Sequence, residues 1–396
     1  MLTQLKEEAR NVLQTNILPF WIDKMQDVEN GGCYGQMLAD GTVVKEADKG
    51  GILNARILWT FSAAYRVLKK QEYKEMAARA FEYIKRHFWD YEQGGTYWSV
   101  DYKGEPKDTK KQFYAQGFML YGLSEYCRAT GDKEALGMAQ QLFKLIEKHA
   151  WDEQHGGYIE ACSRDWSTLD DVRLSEKDKN YPKSQNTHLH ILEPYTNLFR
   201  VWPHPQVEYA LRRVLDVFQQ HIINRQTHHL DMFFDMDWRR MPEQWESYGH
   251  DIECSWLMDE AVHVLGHRLL IEQVELDVRT LALASLKGLQ PDGSMIHEAN
   301  FTTGHIDTDR HWWVQAEAVV GLVNFYQHFG SQDAGEKALR LWKYIKEHLI
   351  DRQLGEWHWS CDKDGNVNMQ EDHAGFWKCP YHNGRMCLEL IERIKH

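Results

Sequence analysis

The chain predicts an all-α fold: six helix pairs closed into a toroid, an (α/α)6 barrel with short β-hairpins between the units, forming one domain over residues 1–396. Three observations lead there. Glycine turns that follow an acidic or aromatic residue recur at a near-constant interval, the stretches between them carry helical apolar periodicity in pairs, and no segment rich in Pro, Gly or Ser marks a linker.

The opening stretch, MLTQLKEEARNVLQTNILPFW, has acidic residues inside its apolar periodicity and no small-residue cleavage site, so it reads as an amphipathic helix rather than a signal peptide. The first glycine turn follows at DVENGGCYGQM, around Gly31, and later turns lie at Gly94, Gly156, Gly293 and Gly355, giving spacings of 63, 62, 137 and 62. The long gap is two periods. The missing turn is expected within HHLDMFFDMDW, at Asp231 to Trp238, which brings the count to six units. After the first turn, ILNARILWTFSAAYRVLKK and YKEMAARAFEYIKRHF both place apolar residues at i, i+3, i+4 and i+7, and QFYAQGFMLYGLSEYCRA with KEALGMAQQLFKLIEKHA repeats the pattern after the second. Each unit is therefore two helices and a hairpin. Six such pairs in one chain close on themselves and bury the inner helices, whereas an open array would need polar capping repeats.

Composition narrows the function. Hydrophobic residues make up 43% of the chain, enough for a large core. The 16 Trp, 18 Tyr and 15 Phe supply more aromatic surface than a core requires, and flat apolar rings suit the faces of sugars. A net charge of −13 argues against a nucleic-acid partner and disfavours an acidic substrate. No run approaches the length of a membrane span. The seven cysteines are odd in number, scattered and never spaced C-x-x-C, which fits a reducing compartment without a zinc site. A cytoplasmic monomer is expected.

In a closed toroid the starts of the inner helices face one central cleft. After each turn lies one conspicuous side chain, Arg56, Tyr114, His190, His250, Trp313 and His382, in phase with the repeat and from six different units. Each also has an ordinary reading. His250 and Glu253 in ESYGHDIECSWL could form a helix cap, with Glu253 reaching back as in a capping box. His188 and His190 in NTHLHILEPY invite a metal, but no third ligand presents itself and the imidazoles diverge at helical spacing. Arg56 could lie on the surface, and Trp312 and Trp313 in the core. FWKCPYHNGRM, Phe376 to Met386, is too dense in Trp, Pro, Tyr, His and Arg for a routine loop.

Along essentially its whole length the chain resembles the cellobiose 2-epimerases of the N-acylglucosamine 2-epimerase superfamily, on the segments ADKGGILNARILW, SYGHDIECSWL, RHWWVQAEAVVG and FWKCPYHNGRM. The resemblance implies the same (α/α)6 fold and no cofactor or metal. It makes His250 and His382 the acid/base pair, His190 a third pocket histidine, and Arg56 and Glu253 their polar partners. Tyr114, Asn186, Trp312, Trp313 and Trp377 would contact the sugar, while His188 falls outside the site. The implied reaction inverts C2 of the reducing-end glucose of β-1,4-linked disaccharides: cellobiose to 4-O-β-D-glucosyl-D-mannose, and lactose to epilactose.

That chemistry suits these residues. After ring opening the aldehyde activates the neighbouring C–H, so the sugar supplies its own electron sink. Histidines titrate near working pH, an arginine can stabilise the enediolate, and Glu253, one turn from His250, would orient that imidazole. Three rivals remain: an aldose–ketose isomerase or monosaccharide 2-epimerase of the same superfamily, disfavoured by GHDIECSWL with YHNGRM; an inverting glycoside hydrolase, which needs two acids where these positions hold histidines; and a non-catalytic sugar-binding barrel, which has no use for three histidines.

Overall fold

The computed structural model describes residues 2–395. Its helices are α1 (Leu2–Val12), α2 (Leu18–Asp23), α3 (Gly51–Leu68), α4 (Gln71–Tyr83), α5 (Phe113–Thr130), α6 (Lys133–His149), α7 (Gln185–Val201), α8 (Pro205–Val217), α9 (Tyr248–Leu265), α10 (Arg268–Ser285), α11 (Trp312–Phe329), α12 (Gln332–Tyr344) and α13 (His382–Arg393). Two kinds of helix alternate because their apolar residues are distributed differently. In α3 every residue from Gly51 through Ala64 is buried, the mark of a helix surrounded by protein. In α6 burial is confined to Ala135, Met138, Ala139, Leu142, Phe143 and Ile146, a single stripe. The first kind forms an inner ring and the second an outer one.

The inner ring runs α3, α5, α7, α9, α11, α13 and back to α3, with α4, α6, α8, α10 and α12 each packed on the inner helix before it. The sixth outer position is taken by α1, which packs on α13. Lys6 Nζ donates to the Ile394 carbonyl at 2.8 Å across this seam, and Trp342 Nε1 of α12 donates to Glu8 at 2.8 Å. The expected (α/α)6 barrel is the observed fold, and the ring is closed by the two ends of the sequence. Inner helices α5, α9 and α11 stop at Gly131, Gly266 and Gly330, whose φ values of 79°, 71° and 66° are left-handed and cost glycine little.

The local hairpins are small, bridged at Gln26–Cys33, Trp89–Thr96, Trp151–Tyr158, Ile223–Leu230, Leu289–Met295 and Ile350–Trp357. The fourth therefore sits at 224–229, ahead of the expected Asp231 to Trp238. Periodicity missed it because a histidine stands where other turns have glycine: His228 takes φ 63° itself. Asn224 Oδ1 accepts from the Gln226 and Thr227 amides at 3.0 and 3.2 Å, a role the aspartates play elsewhere. Further short strands join successive units: Lys49–Gly50 pairs with Ser99–Val100, Lys111–Gln112 with Ala161–Cys162, and Lys183–Ser184 with Phe233–Phe234.

Each of these joins is pinned by charge. The aspartate that caps a turn also accepts from a basic residue two positions before the next inner helix: Asp27 from Lys49 at 2.7 Å, Asp90 from Lys111 at 2.9 Å and Asp152 from Lys183 at 2.7 Å. Arg310 meets Asp292 at 3.4 Å in the fifth unit, and Lys378 meets Glu356 at 3.3 Å in the sixth. The fourth unit has lost both members. Asn224 replaces the acid and Glu246 the base, and Glu246 turns to His229 at 3.1 Å and Lys287 at 3.4 Å instead. In the five units that keep them, these pins fix where the inner helix begins, and so where the side chains of its first turns reach the central cleft.

Candidate active site

The first turns of the inner helices converge on one mouth. Arg56, Tyr114, Asn186, His190, His250, Glu253, Trp312, Trp313, Trp377 and His382 all line a single cavity of about 420 Å³, within the range of small-molecule sites. A second lobe of about 300 Å³ shares His250 and Asn186 with it. Residues Leu174, Ser175, Lys177 and Asp178 wall both lobes, and Lys177 reaches Glu371 on the opposite rim at 3.5 Å.

The three histidines are held in the same manner by different partners. His190 Nδ1 lies 2.6 Å from Glu193 Oε1, and His382 Nδ1 lies 2.6 Å from Glu317 Oε1. Each carboxylate fixes the proton on Nδ1 and leaves Nε2 as a lone-pair base. His250 Nδ1 lies 2.8 Å from Ser247 Oγ, a hydroxyl that can donate or accept. Among the described residues no protein group pairs with the three Nε2 atoms. Burial keeps the imidazoles neutral: it pushes His382 down to about 3 against the pull of Glu317, and with the neighbouring histidines pushes His250 down to about 3.

Glu253 does not orient His250, contrary to the expectation from their spacing. His250 is the third residue of α9, and its side chain turns back to Ser247 just before the helix. Glu253 Oε1 instead accepts from Arg385 Nη2 at 2.5 Å. The capping-box alternative fails too, because the carboxylate is spent on Arg385. Three residues also separate His190 from Glu193; deep inside α7 that spacing does bring the pair together.

Arg385 is the hub beneath the pocket. Fully buried, it donates to Glu193, Glu253, Glu317 (2.7 Å) and Tyr381, whose hydroxyl donates in turn to Glu193 Oε2 at 2.5 Å. One guanidinium cannot balance three carboxylates. Burial and then the Glu317 charge push the Glu253 carboxyl well above its ordinary range, whereas Arg385 and His382 hold Glu317 down to about 2 despite its burial. Glu253 is thus the carboxyl of the three pushed toward its neutral form, and its Oε2 has no protein partner. The clusters His190–Glu193–Glu253 and Glu253–Glu317–His382 have the donor types of metal sites, but Arg385 already supplies the cation there.

Arg56 differs from Arg385 in having no carboxylate partner among the described residues. It donates to the Trp377 carbonyl at 3.1 Å and to Tyr114 Oη at 2.9 Å, and its guanidinium lies 4.2 Å from the Phe118 ring centre. Its positive charge thus stands uncompensated at the cavity wall. Buried polar atoms without protein partners gather around the same space: Arg56 Nε, Asn186 Oδ1, Glu253 Oε2 and Trp312 Nε1. Such a set suits a ligand rich in hydroxyls. Trp313 stacks beside both acid/base candidates, 4.8 Å from the His250 ring and 5.8 Å from His382, and Trp377 lies 6.1 Å from Tyr114.

Sequence reasoning missed Glu193, Glu317, Arg385, Tyr381 and Ser247. All five lie in segments singled out above, Glu193 in NTHLHILEPY, Ser247 in ESYGHDIECSWL, Glu317 in RHWWVQAEAVVG, and Tyr381 and Arg385 in FWKCPYHNGRM, but the pairings of Glu317, Tyr381 and Arg385 span helices and leave no local spacing. Glu193 was within reach of the i, i+3 argument. His188 lies outside the site, as expected: its Nδ1 donates to the Ser184 carbonyl at 2.7 Å and its Nε2 accepts from the Tyr158 amide at 2.9 Å, so it supports a turn.

Comparison with known proteins places this architecture. The N-acylglucosamine 2-epimerase family model matches residues 32–384. The chain is 55% identical to a cellobiose 2-epimerase of Bacteroides fragilis and 43% identical to one of Ruminococcus albus, each over 98% of both chains. It superimposes on the structure of a cellobiose 2-epimerase from Bacillus thermoamylovorans with a TM-score of 0.94 at 43% identity, covering 99% of this chain and 100% of that one. Three clustered histidines, an arginine without a carboxylate partner and an aromatic wall on an (α/α)6 ring are thus carried by a chain that belongs to the N-acylglucosamine 2-epimerase family.

Proposed function

We propose that this epimerase inverts C2 of the reducing-end glucose of β-1,4-linked disaccharides, converting cellobiose to 4-O-β-D-glucosyl-D-mannose and lactose to epilactose, as one domain and as a cytoplasmic monomer without metal or cofactor. The observation that carries the reading is the convergence of three unpaired imidazole Nε2 atoms and one uncompensated guanidinium on a single cavity. After ring opening, one of His250 and His382 takes the C2 proton. The electrons move into the C1 carbonyl, and the resulting enediolate lies against Arg56, whose charge is free to meet it. The other histidine, neutral at rest, takes up a proton from water as the enediolate charge develops and passes it to the opposite face, and loss of the first proton to water resets both. Glu317 supports an imidazolium at His382 as it forms, while the Ser247 hydroxyl accommodates either state of His250. His190 and Tyr114 bind sugar hydroxyls, and Trp313 and Trp377 present ring faces to the two sugars.

Hydrolysis fits poorly. Beneath the cavity, Glu193, Glu253 and Glu317 are tied to Arg385 or a histidine, and Glu160 in the second lobe accepts from the Ser184 and Thr187 hydroxyls at 2.8 Å, so these carboxyls are engaged in holding the site. The deciding experiment is a proton NMR time course with cellobiose in D2O and chelator. Deuterium at C2 of newly formed glucosyl-mannose is expected. Epimerisation without any exchange, or release of glucose instead, would overturn the mechanism or the reaction.

A further inference from the structure

At the end of the barrel opposite the active-site mouth, two inner helices bring a second set of ligating side chains together. Asp259 and His263 lie one turn apart near the end of α9, and His328 lies in the last turn of α11. His328 Nδ1 is 2.7 Å from Asp259 Oδ2, His263 Nδ1 is 3.3 Å from Asp259 Oδ1, and the three ligand atoms fall within 4.8 Å of one another. The imidazoles meet at 69° with ring centres 5.0 Å apart, so their nitrogens can converge. They open into a surface cavity of about 350 Å³ that also receives Glu275 from α10.

We propose that this cluster is a binding site for one divalent transition ion of the zinc type. The chemistry is specific: two imidazoles and a carboxylate are donors such ions prefer, and ligands about 2.1 Å from a tetrahedral centre stand roughly 3.4 Å apart, inside the 2.7 to 4.8 Å range of separations here. The carboxylate is already oriented, since Asn324 Nδ2 donates to Asp259 Oδ2 at 3.0 Å and is itself held by Arg393 at 2.7 Å. The histidines are partly exposed, 46% for the His263 side chain and 34% for His328, so an ion can enter and water or Glu275 can complete its shell. His263 must exchange the hydrogen bond it makes to the Asp259 carbonyl at 2.8 Å for the ion. The other surface triad, His297–Asp307–His311, is less suitable: its rings stack nearly parallel, at 10° and 4.0 Å, which points their lone pairs side by side rather than at one centre.

A bound ion would clamp α9 to α11 at the end remote from catalysis and leave the reaction proposed above unchanged. The test is calorimetric titration of chelator-stripped, full-length protein with ZnCl2. One equivalent is expected in the wild type, weakened at least tenfold in His328→Gln and in His263→Ala/His328→Ala, and retained in His297→Ala/His311→Ala. Absorption of the Co2+ form in the visible range should disappear in the same variants that lose Zn2+. No saturable binding by the wild type, undiminished binding by the His263/His328 double variant, or loss confined to the His297/His311 variant would each overturn the proposal.

Discussion

Glu253 and Glu317 both accept from the same Arg385 nitrogen, yet their carboxyl pKa values are pushed in opposite directions, and two isosteric substitutions separate them. Glu317 is ionised and binds His382 at 2.6 Å, Arg385 at 2.7 Å and Trp256 Nε1 at 3.1 Å. Glu317→Gln removes the charge behind His382. Losing a charge-assisted hydrogen bond at a buried site should cost about 1.5–3 kcal/mol of stability. Losing the carboxylate partner of the imidazole should lower kcat about 10- to 100-fold. Glu253 is pushed toward its neutral form, so Glu253→Gln should change the charge of the cluster less. It should lose less stability than Glu317→Gln, and the pH dependence of turnover should not move, because Glu253 does not touch His250. Thermal unfolding and epimerisation rates from pH 5 to 9 measure both. Equal damage from the two substitutions, or a Glu253→Gln variant with a displaced pH profile, would refute the assigned charges and restore Glu253 as the partner of His250.

The histidines themselves carry the proposed chemistry: His250→Ala and His382→Ala should each lose about 100-fold or more in rate while still folding cooperatively, and an active double variant would refute their role. Acid should destabilise the fold, because two imidazoles held near 3 in the native state titrate at their ordinary value once unfolded, so the unfolded state binds more protons below about pH 6.5. Between pH 7 and pH 5 each should cost about 2 kcal/mol, and His382→Asn should flatten that dependence in denaturant titrations; an unchanged slope would show that His382 is already charged. Prolonged EDTA treatment should leave turnover intact, even if it strips the surface site, and activity restored only by Zn2+ or Mn2+ would refute metal-free epimerisation. Trp377→Ala should raise KM for cellobiose with a smaller change in kcat, and wild-type kinetics at low substrate would remove its stacking role.

Most of the ring could be read from the chain because its signals are local. Apolar spacing distinguished helices, and glycine marked the turns wherever a left-handed residue was needed. The exception at His228 shows the limit: the turn geometry persisted while the residue that advertised it was replaced. The ten cavity-lining residues were legible because each sits in the first turns of an inner helix or in the loop before α13. Their partners were not. Whether His250 turns to Glu253 or to Ser247 depends on how deep it lies in its helix, and the Arg385 cluster joins α7, α9, α11 and α13, which no linear pattern brings together.

Ring closure by α1 and α13 has a consequence for how activity arises in time. His382 and Arg385 lie on the last inner helix, and that helix is covered by the first. Pairing segments so far apart in sequence is slow. During refolding from denaturant, helicity should recover as neighbouring pairs form, but turnover should return only when both ends of the chain have met. The lag between far-ultraviolet signal and enzymatic rate then becomes a direct clock for the closing of the circle. A substitution at the seam, such as Lys6→Ala, should lengthen that lag while leaving the finished active site unaltered.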